Sequence, residues 1–499
     1  MIRLHWQRGK NNSGILSPSA PRKNALSRSE SRLCFSRDPW FCGLLLLSVA
    51  CGSGRGQQKD SPGSLRSGVL MGMKIDAIVG SGDEARVLTT GAEFVLTKTG
   101  RIRCYQRIPE RREVADIELP AGTPPLRLER QNDFACGFSA QGMVVSFQGD
   151  SLVIIRADED VKLDVTGLFK PAYKAEKQGK WLFIDGKGGF GIYPTGEKKT
   201  ISPDVRQSPW AITYTMRKGE ELWISVFPPR PYNWKRAYED LMAHEGNEEP
   251  YTYPSTALIQ SSAKYCRVMV VHSWFWPGGD RAPWKIPAFV PKDRKEFDRV
   301  RDDLHRAGMK MVPYFSPYYY AGKDFFAEVW RALEEYKVDG LYFDGVTMDF
   351  RTSYEIVRRT REMLGDDRIL FRHCTSDPLA SARIYCPFID TYCDYIYRGE
   401  AGRAGLELDD FLRWTLSGYN ISNAVGYWVY TGSTGKPGYV RQAPTREHID
   451  AALRHEVRIP RTEIGYELNL AWKPSDGHLE FFDKHYYGEL ARIRGALKK

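Results

Sequence analysis

The chain is short of the features by which many chemistries announce themselves. Its 9 cysteines include no Cys-x-x-Cys pair, and no histidine lies close enough in sequence to complete a zinc set, so a structural metal site is not expected. Nothing resembles a nucleotide-binding loop or a Ser-His-Asp set, which removes the commonest phosphoryl- and acyl-transfer readings. Its main leucine-rich run, residues 40–50, is too short to span a bilayer as a permanent helix. The formal charge of +10 is unevenly placed: eight basic against two acidic side chains in residues 1–50 give +6 of it. What remains on the rest of the chain is no nucleic-acid footprint, and no basic cluster is interleaved with aromatics.

What is present is an ordinary soluble composition, 42% hydrophobic and 27% charged, over a length that calls for two or three domains. Aromatic content is high, with 13 Trp and 27 Tyr. Aromatic faces stack on sugar rings, on bases and on each other, which suits a carbohydrate or nucleic-acid binder without deciding between them.

Residues 1–51 read as an export leader. Trp40 to Ala50 is an apolar core behind a positive region, as in a signal peptide. Leu47-Ser48-Val49-Ala50-Cys51-Gly52 resembles a bacterial lipobox with its leucine one place too far upstream, making Cys51 the candidate lipidated residue. The alternative is a signal peptide cut nearby, with Cys51 incidental. Residues 52–68, rich in Gly, Ser and Gln, form a flexible tether. The expected location is the cell envelope, the periplasm or the medium, with membrane contact only through that anchor. Export would permit disulfides; Cys104–Cys136 is conceivable and Cys386–Cys393 less so, with buried thiols the default.

Residues 69–245 read as a β-sandwich. Glu93–Thr97 and Arg101–Tyr105 flank Lys98-Thr99-Gly100, and Trp181–Ile184 and Phe190–Tyr193 flank a glycine-rich turn; both are hairpin patterns. Trp234 to His244 looks helical, and 246–254 is a credible linker.

Residues 255–499 alternate apolar strands with helix-period segments. Strands are expected at Val268–Phe275, Lys310–Phe315, Val338–Phe343, Arg368–Cys374, Thr391–Tyr397 and Ile421–Tyr430, with an eighth near Ile464–Trp472 and the first near Ala257–Ile259. This spacing fits a (β/α)8 barrel, which typically takes about 250 residues. The focal stretch is Val338-Asp339-Gly340-Leu341-Tyr342-Phe343-Asp344-Gly345, an apolar strand ending in a carboxylate. A capping-box pattern, Thr352-Ser353-Tyr354-Glu355, then opens a helix. Side chains at the C-terminal ends of barrel strands line the active site, so Asp344 sits where chemistry is expected.

The Trp-rich loop after the Val268 strand, Ala307-Gly-Met-Lys-Met-Val-Pro-Tyr-Phe315 and the Val338–Gly345 stretch resemble retaining glycoside hydrolases of the α-galactosidase (melibiase-like) clan. The Phe-Asp-Gly ending is also similar to that of the α-L-fucosidase barrel. The resemblance implies that Asp344, at the end of the fourth strand, is the nucleophile. It implies an acid/base at the end of the sixth, which is Glu400 here, where that clan usually has Asp.

Retaining hydrolysis needs two carboxyl groups about 5–5.5 Å apart, one to attack and one to protonate the leaving oxygen. Asp349 and Asp394 compete with Glu400 for the second role, although Asp394 falls within a strand and defaults to a structural ion pair. His272, Trp274, Trp276, Tyr318, Arg372, His373 and Asp377 fall at or just past strand ends, where they can bind sugar hydroxyls or stack on a ring. A lone strand histidine is more often a satisfied core residue, and Arg372 can simply pair with an acid. The reading is an exported, two-domain glycoside hydrolase acting with retention on a carbohydrate, with no cofactor or metal expected. The rival is a non-catalytic glycan-binding envelope lipoprotein on a degenerate barrel. Sugar, anomer and oligomeric state are not encoded legibly.

Overall fold

The computed structural model describes residues 70–81, 83–120, 128–140, 142–244, 252–272, 275–279, 285–344, 346, 349–373, 386–398, 407–416, 423–427, 446–462 and 478–497. Two antiparallel sheets come first. One has seven strands: Ile75–Ser81, Glu84–Thr89, Ala92–Thr97, Arg101–Gln106, Arg112–Glu118, Val161–Gly167 and Trp210–Met216, paired in that order. The other has eight and is built around Lys180–Asp185, Gly188–Pro194, Glu221–Phe227 and Leu152–Ala157. Both hairpins read from the sequence are present. In the first, Gly100 takes φ 77°, which closes the turn at no side-chain cost.

Strand Trp210–Met216 alternates buried and exposed residues, as expected where one face is wet. Lys180–Asp185 is buried nearly throughout, because both of its faces are covered. Trp181 and Phe183 enter the sandwich core, while Leu182 and Ile184 join a second core shared with the barrel. Trp223 packs 5.0 Å from Phe350 and 5.3 Å from Tyr354 across that junction.

The second part is an eight-stranded parallel sheet. Its strands are β1 (Met242–His244), β2 (Val268–Val271), β3 (Lys310–Phe315), β4 (Gly340–Phe343), β5 (Ile369–His373), β6 (Tyr395–Arg398), β7 (Asn423–Tyr427) and β8 (Arg461–Thr462). Neighbours follow chain order from β1 to β7, and β8 pairs with β1. That is the strand order of a (β/α)8 barrel, with the helices outside. The fold is therefore an N-terminal β-sandwich followed by a parallel α/β barrel sheet.

The helices start where side chains can cap them. Ser255 caps α2 (Thr256–Ala263), Asp293 caps α3 (Arg294–Arg306), Asp324 caps α4 (Phe325–Glu334) and Asp349 caps α5 (Phe350–Leu364), each accepting a backbone N–H of the first turn. Helix α5 thus begins ahead of the Thr352 capping-box pattern. On α4, Val329 and Leu333, four residues apart, are buried, while Trp330 is 47% exposed.

Two expectations fail at the front of the barrel. Ala257–Ile259, expected as the first strand, lies inside α2, whose buried Leu258, Ile259 and Ser262 have helical spacing. The helix expected over Trp234–His244 stops at Glu239 (α1, Trp234–Glu239), and β1 follows inside what had read as sandwich sequence. Met242-Ala243-His244 is too short and too mixed to show a strand pattern. The expected eighth strand near Ile464–Trp472 lies outside the described residues; β8 is Arg461–Thr462. Cys104, Cys136, Cys266, Cys386 and Cys393 are buried free thiols, so neither conceivable disulfide is formed. Among the described residues no helix is long and apolar enough to cross a membrane.

Candidate active site

Strand β4 is buried on both sides. Gly340 admits no side chain there, since a Cβ would lie 2.3 Å from the Ile369 carbonyl oxygen. Side chains alternate beyond it. Phe343 turns outward to Phe325 of α4, 5.6 Å between ring centroids. Tyr342 packs inward on Phe371 at 4.7 Å, and Asp344 continues that inward row.

Asp344 is the centre of the cluster. Its Oδ1 lies 2.8 Å from Nδ1 of His373, the last residue of β5. Its Oδ2 accepts a 2.9 Å hydrogen bond from the Tyr314 hydroxyl of β3. Its backbone oxygen accepts one from Ser316 Oγ at 2.6 Å. Three neighbouring strand ends therefore converge on one residue. The same Ser316 Oγ accepts the Tyr319 N–H at 3.1 Å, which anchors the loop carrying Tyr318.

An aromatic and imidazole ring surrounds this point. His373 meets Tyr397 of β6 edge to face at 4.5 Å. Tyr397 stacks on His244 of β1, with planes 2° apart at 5.7 Å, and His244 meets Tyr342 at 4.9 Å. His272, one residue past β2, lies 4.9 Å from the Tyr314 ring. The Asp344 side chain keeps 18% of its surface exposed and that of His373 8%.

Burial pushes the Asp344 carboxyl toward the neutral acid. The hydrogen bond and charge of His373, the Tyr314 hydroxyl and the charge of His272 outweigh it, and the pKa lies below the ordinary value. A carboxylate held as an anion among aromatic walls can act as a nucleophile or stabilise a developing positive charge.

Of the residues expected from the sequence, the structure brings together Asp344, His373 and His272. Tyr318 sits at the rim, 50% exposed on the loop after β3. Trp276 and Arg372, expected among sugar ligands, are turned away from this ring. Trp276 is fully buried among Phe275, Phe289, Phe297 and Phe315, with its indole N–H donated to the Tyr314 carbonyl at 2.6 Å. Arg372 has the opposite strand parity to His373 and pairs with Asp390 of α6 (Pro387–Asp390) at 2.6 Å, both side chains fully buried. Trp274, Asp377, Glu400 and Cys51 lie outside the described residues.

Both competing carboxylates have structural work. Asp349 accepts the backbone N–H groups of Arg351 and Thr352 at the start of α5. Asp394 lies before β6, at the opposite end of the barrel from Asp344. There it holds Arg361 at 2.5 Å, Arg236 at 2.9 Å and the Leu370 N–H at 2.8 Å.

Tyr314, Tyr342, Tyr397 and His244 were not anticipated. Strand parity was the available signal for Tyr342, two positions before Asp344, for Tyr314 on the neighbouring β3 and for Tyr397 on β6, two strands away. For His244 there was none, since β1 itself was hidden. Among the described residues no group of three or more His, Cys, Asp or Glu side chains is placed to hold a metal ion.

No protein-family model and no curated protein matches the chain. Among solved structures it is similar to the cycloalternan-forming enzyme of Listeria monocytogenes, at 10% identity and a TM-score of 0.37, covering 83% of this chain and 54% of that one. An uncharacterized protein from Listeria monocytogenes EGD-e matches at 10% identity and a TM-score of 0.40, with the same coverage. An α-xylosidase from a soil metagenome matches at 9% identity and a TM-score of 0.30, covering 84% of this chain and 86% of that one. The chain spans about half the length of the two Listeria proteins. At these scores none of them decides what this chain does.

Proposed function

We propose that this chain is a glycoside hydrolase that cleaves O-glycosidic bonds with retention, using Asp344 as nucleophile. The observation that carries the reading is the position and state of Asp344. It is an anionic carboxylate at the C-terminal end of the fourth of eight parallel strands, inside a ring of Tyr and His side chains. In the first step Asp344 attacks the anomeric carbon as the glycosidic C–O bond breaks, and the acid protonates the departing oxygen. In the second, the same residue, now a base, takes a proton from water as the water attacks the anomeric carbon of the glycosyl ester and the Asp344 carboxylate leaves. Hydrogen-bond donors on Asp344 oppose the first step mildly and assist the second, because they stabilise the carboxylate as it departs.

Glu400 is our candidate for the acid/base. It stands two positions past the end of β6 (Tyr395–Arg398), and Asp349 and Asp394 are committed elsewhere. Tyr318 is our candidate stacking residue, and His272 a candidate for sugar hydroxyls. We place the protein outside the cytoplasm, held by a lipid on Cys51. Palmitate incorporation lost in Cys51→Ala tests the anchor, and absence of label in the parent overturns it.

The test of the chemistry is covalent trapping. An activated 2-deoxy-2-fluoro glycoside should leave one sugar on the peptide carrying Asp344. Turnover with no adduct and an inverted first-formed product anomer would replace retention by inversion. Sugar binding that is unchanged in Asp344→Asn, with no turnover by the parent, would make the chain a glycan-binding protein.

A further inference from the structure

The proposed hydrolysis treats His373 only as one of the donors on Asp344, and its position makes that role specific. The sequence placed it among residues binding sugar hydroxyls. In the structure its Nδ1 lies 2.8 Å from Asp344 Oδ1. The Tyr342 hydroxyl lies 3.1 Å from the same nitrogen. One ring nitrogen carries either a proton or a lone pair, and an anionic carboxylate can only accept. The arrangement is consistent when Nδ1 is the protonated nitrogen and donates to Asp344, with the Tyr342 oxygen as a minor second acceptor. The imidazole is itself held, edge on to Tyr397 and with its ring plane 16° from that of Tyr342.

We propose that His373 is a positioning residue for Asp344: its Nδ1–H fixes the orientation of the carboxylate and stabilises it as the anion. This rests on the reading of Asp344 as the nucleophile. The groups facing Asp344 are His373 from β5, Tyr314 from β3, Tyr342 from β4 and His272 past β2, with Tyr397 and His244 behind them. Only His373 and Tyr314 hydrogen-bond its carboxylate oxygens in the described structure. The two differ in kind, because a hydroxyl rotates about its C–O bond whereas an imidazole N–H points where the ring is packed. His373 is thus the fixed donor.

The variants separate this role from sugar binding. Asn at 373 puts an amide N–H close to the place of Nδ1. Gln puts it close to Nε2, and Leu removes it. The full-length chain is labelled with carboxyl-13C aspartate, and the Asp344 resonance is assigned by its loss in Asp344→Asn. We expect Asp344 to titrate below the ordinary carboxylate range in the parent, higher in His373→Leu and His373→Gln, and lower again in His373→Asn. On an aryl glycoside, kcat in His373→Leu should fall about 10- to 100-fold, the effect of losing one charged hydrogen bond. KM should not rise, with the acid limb of the profile moved to higher pH. An Asp344 titration indifferent to residue 373 overturns the proposal, as does a rise in KM at constant kcat. If the parent cleaves no glycoside, the proposed function fails, while the titration still decides whether His373 governs Asp344.

Discussion

The Tyr314 hydroxyl donates to Asp344 Oδ2 across 2.9 Å, joining the ends of two adjacent barrel strands through the proposed nucleophile. Burial and the neighbouring Asp344 charge hold this phenol well above its ordinary pKa, so it stays a donor through the working pH range. In the proposed second half-reaction its role is to stabilise the departing carboxylate. Tyr314→Phe keeps the ring against His272 and removes the donor. With a dinitrophenyl glycoside, whose first step needs no acid, kcat should fall about 10-fold while kcat/KM changes less, a split consistent with losing one charged hydrogen bond. Pre-steady-state release of the phenol should then show a burst.

Asp150 makes the junction between sandwich and barrel sensitive to pH. It is fully buried and accepts hydrogen bonds from Tyr392 at 2.8 Å and Tyr354 at 3.0 Å. Burial pushes its pKa up to about 6, against the opposing effect of the two hydroxyls. The folded chain therefore holds this proton to a higher pH than the unfolded chain does. Stability contributed by the protonated form is complete below about pH 4 and lost as pH rises through 6. Asp150→Asn should match the parent near pH 4 and exceed it by about 1–3 kcal/mol at pH 7.5. Urea unfolding at the two pH values measures the difference.

Asp394 and Asp349 should behave as structural groups. Asp394 sits between the guanidinium groups of Arg361 and Arg236, and Asp394→Ala leaves buried positive charge uncompensated. A loss of about 3–5 kcal/mol in denaturant unfolding is expected, with the activity per folded molecule retained. Asp349→Ala removes a helix cap and should cost about 1 kcal/mol, again without removing turnover. Abolition of turnover in a folded Asp349 or Asp394 variant would move the acid role to that residue.

The periodicities in the sequence carried much of the fold. Phe297, Val300 and Leu304 are buried on α3 as their spacing predicts, and the strand ending at Phe343 lies in the sheet as expected. What escaped were elements whose residues carry no pattern of their own. Met242-Ala243-His244 is a strand because β2 and β8 flank it, not because three residues prefer one. The same limit applies to the site. Asp344 stood out at the end of an apolar strand, but its partners are set by the order of strands in the sheet and by strand parity. Arg372 and His373 are adjacent in sequence yet face opposite sides of the sheet, one to Asp390 and one to Asp344. Trp276 was misplaced for a related reason: a tryptophan in a strand-end loop looks like a sugar platform until its packing is known.

The most direct test of the central claim compares the full-length chain with Asp344→Ala on a panel of aryl α- and β-glycosides. Circular dichroism and an unfolding curve would establish that both are folded. The account predicts that the parent hydrolyses at least one glycoside and that Asp344→Ala loses about a thousandfold or more of that turnover. Equal turnover by the two proteins would contradict it and move the chemistry to another carboxylate.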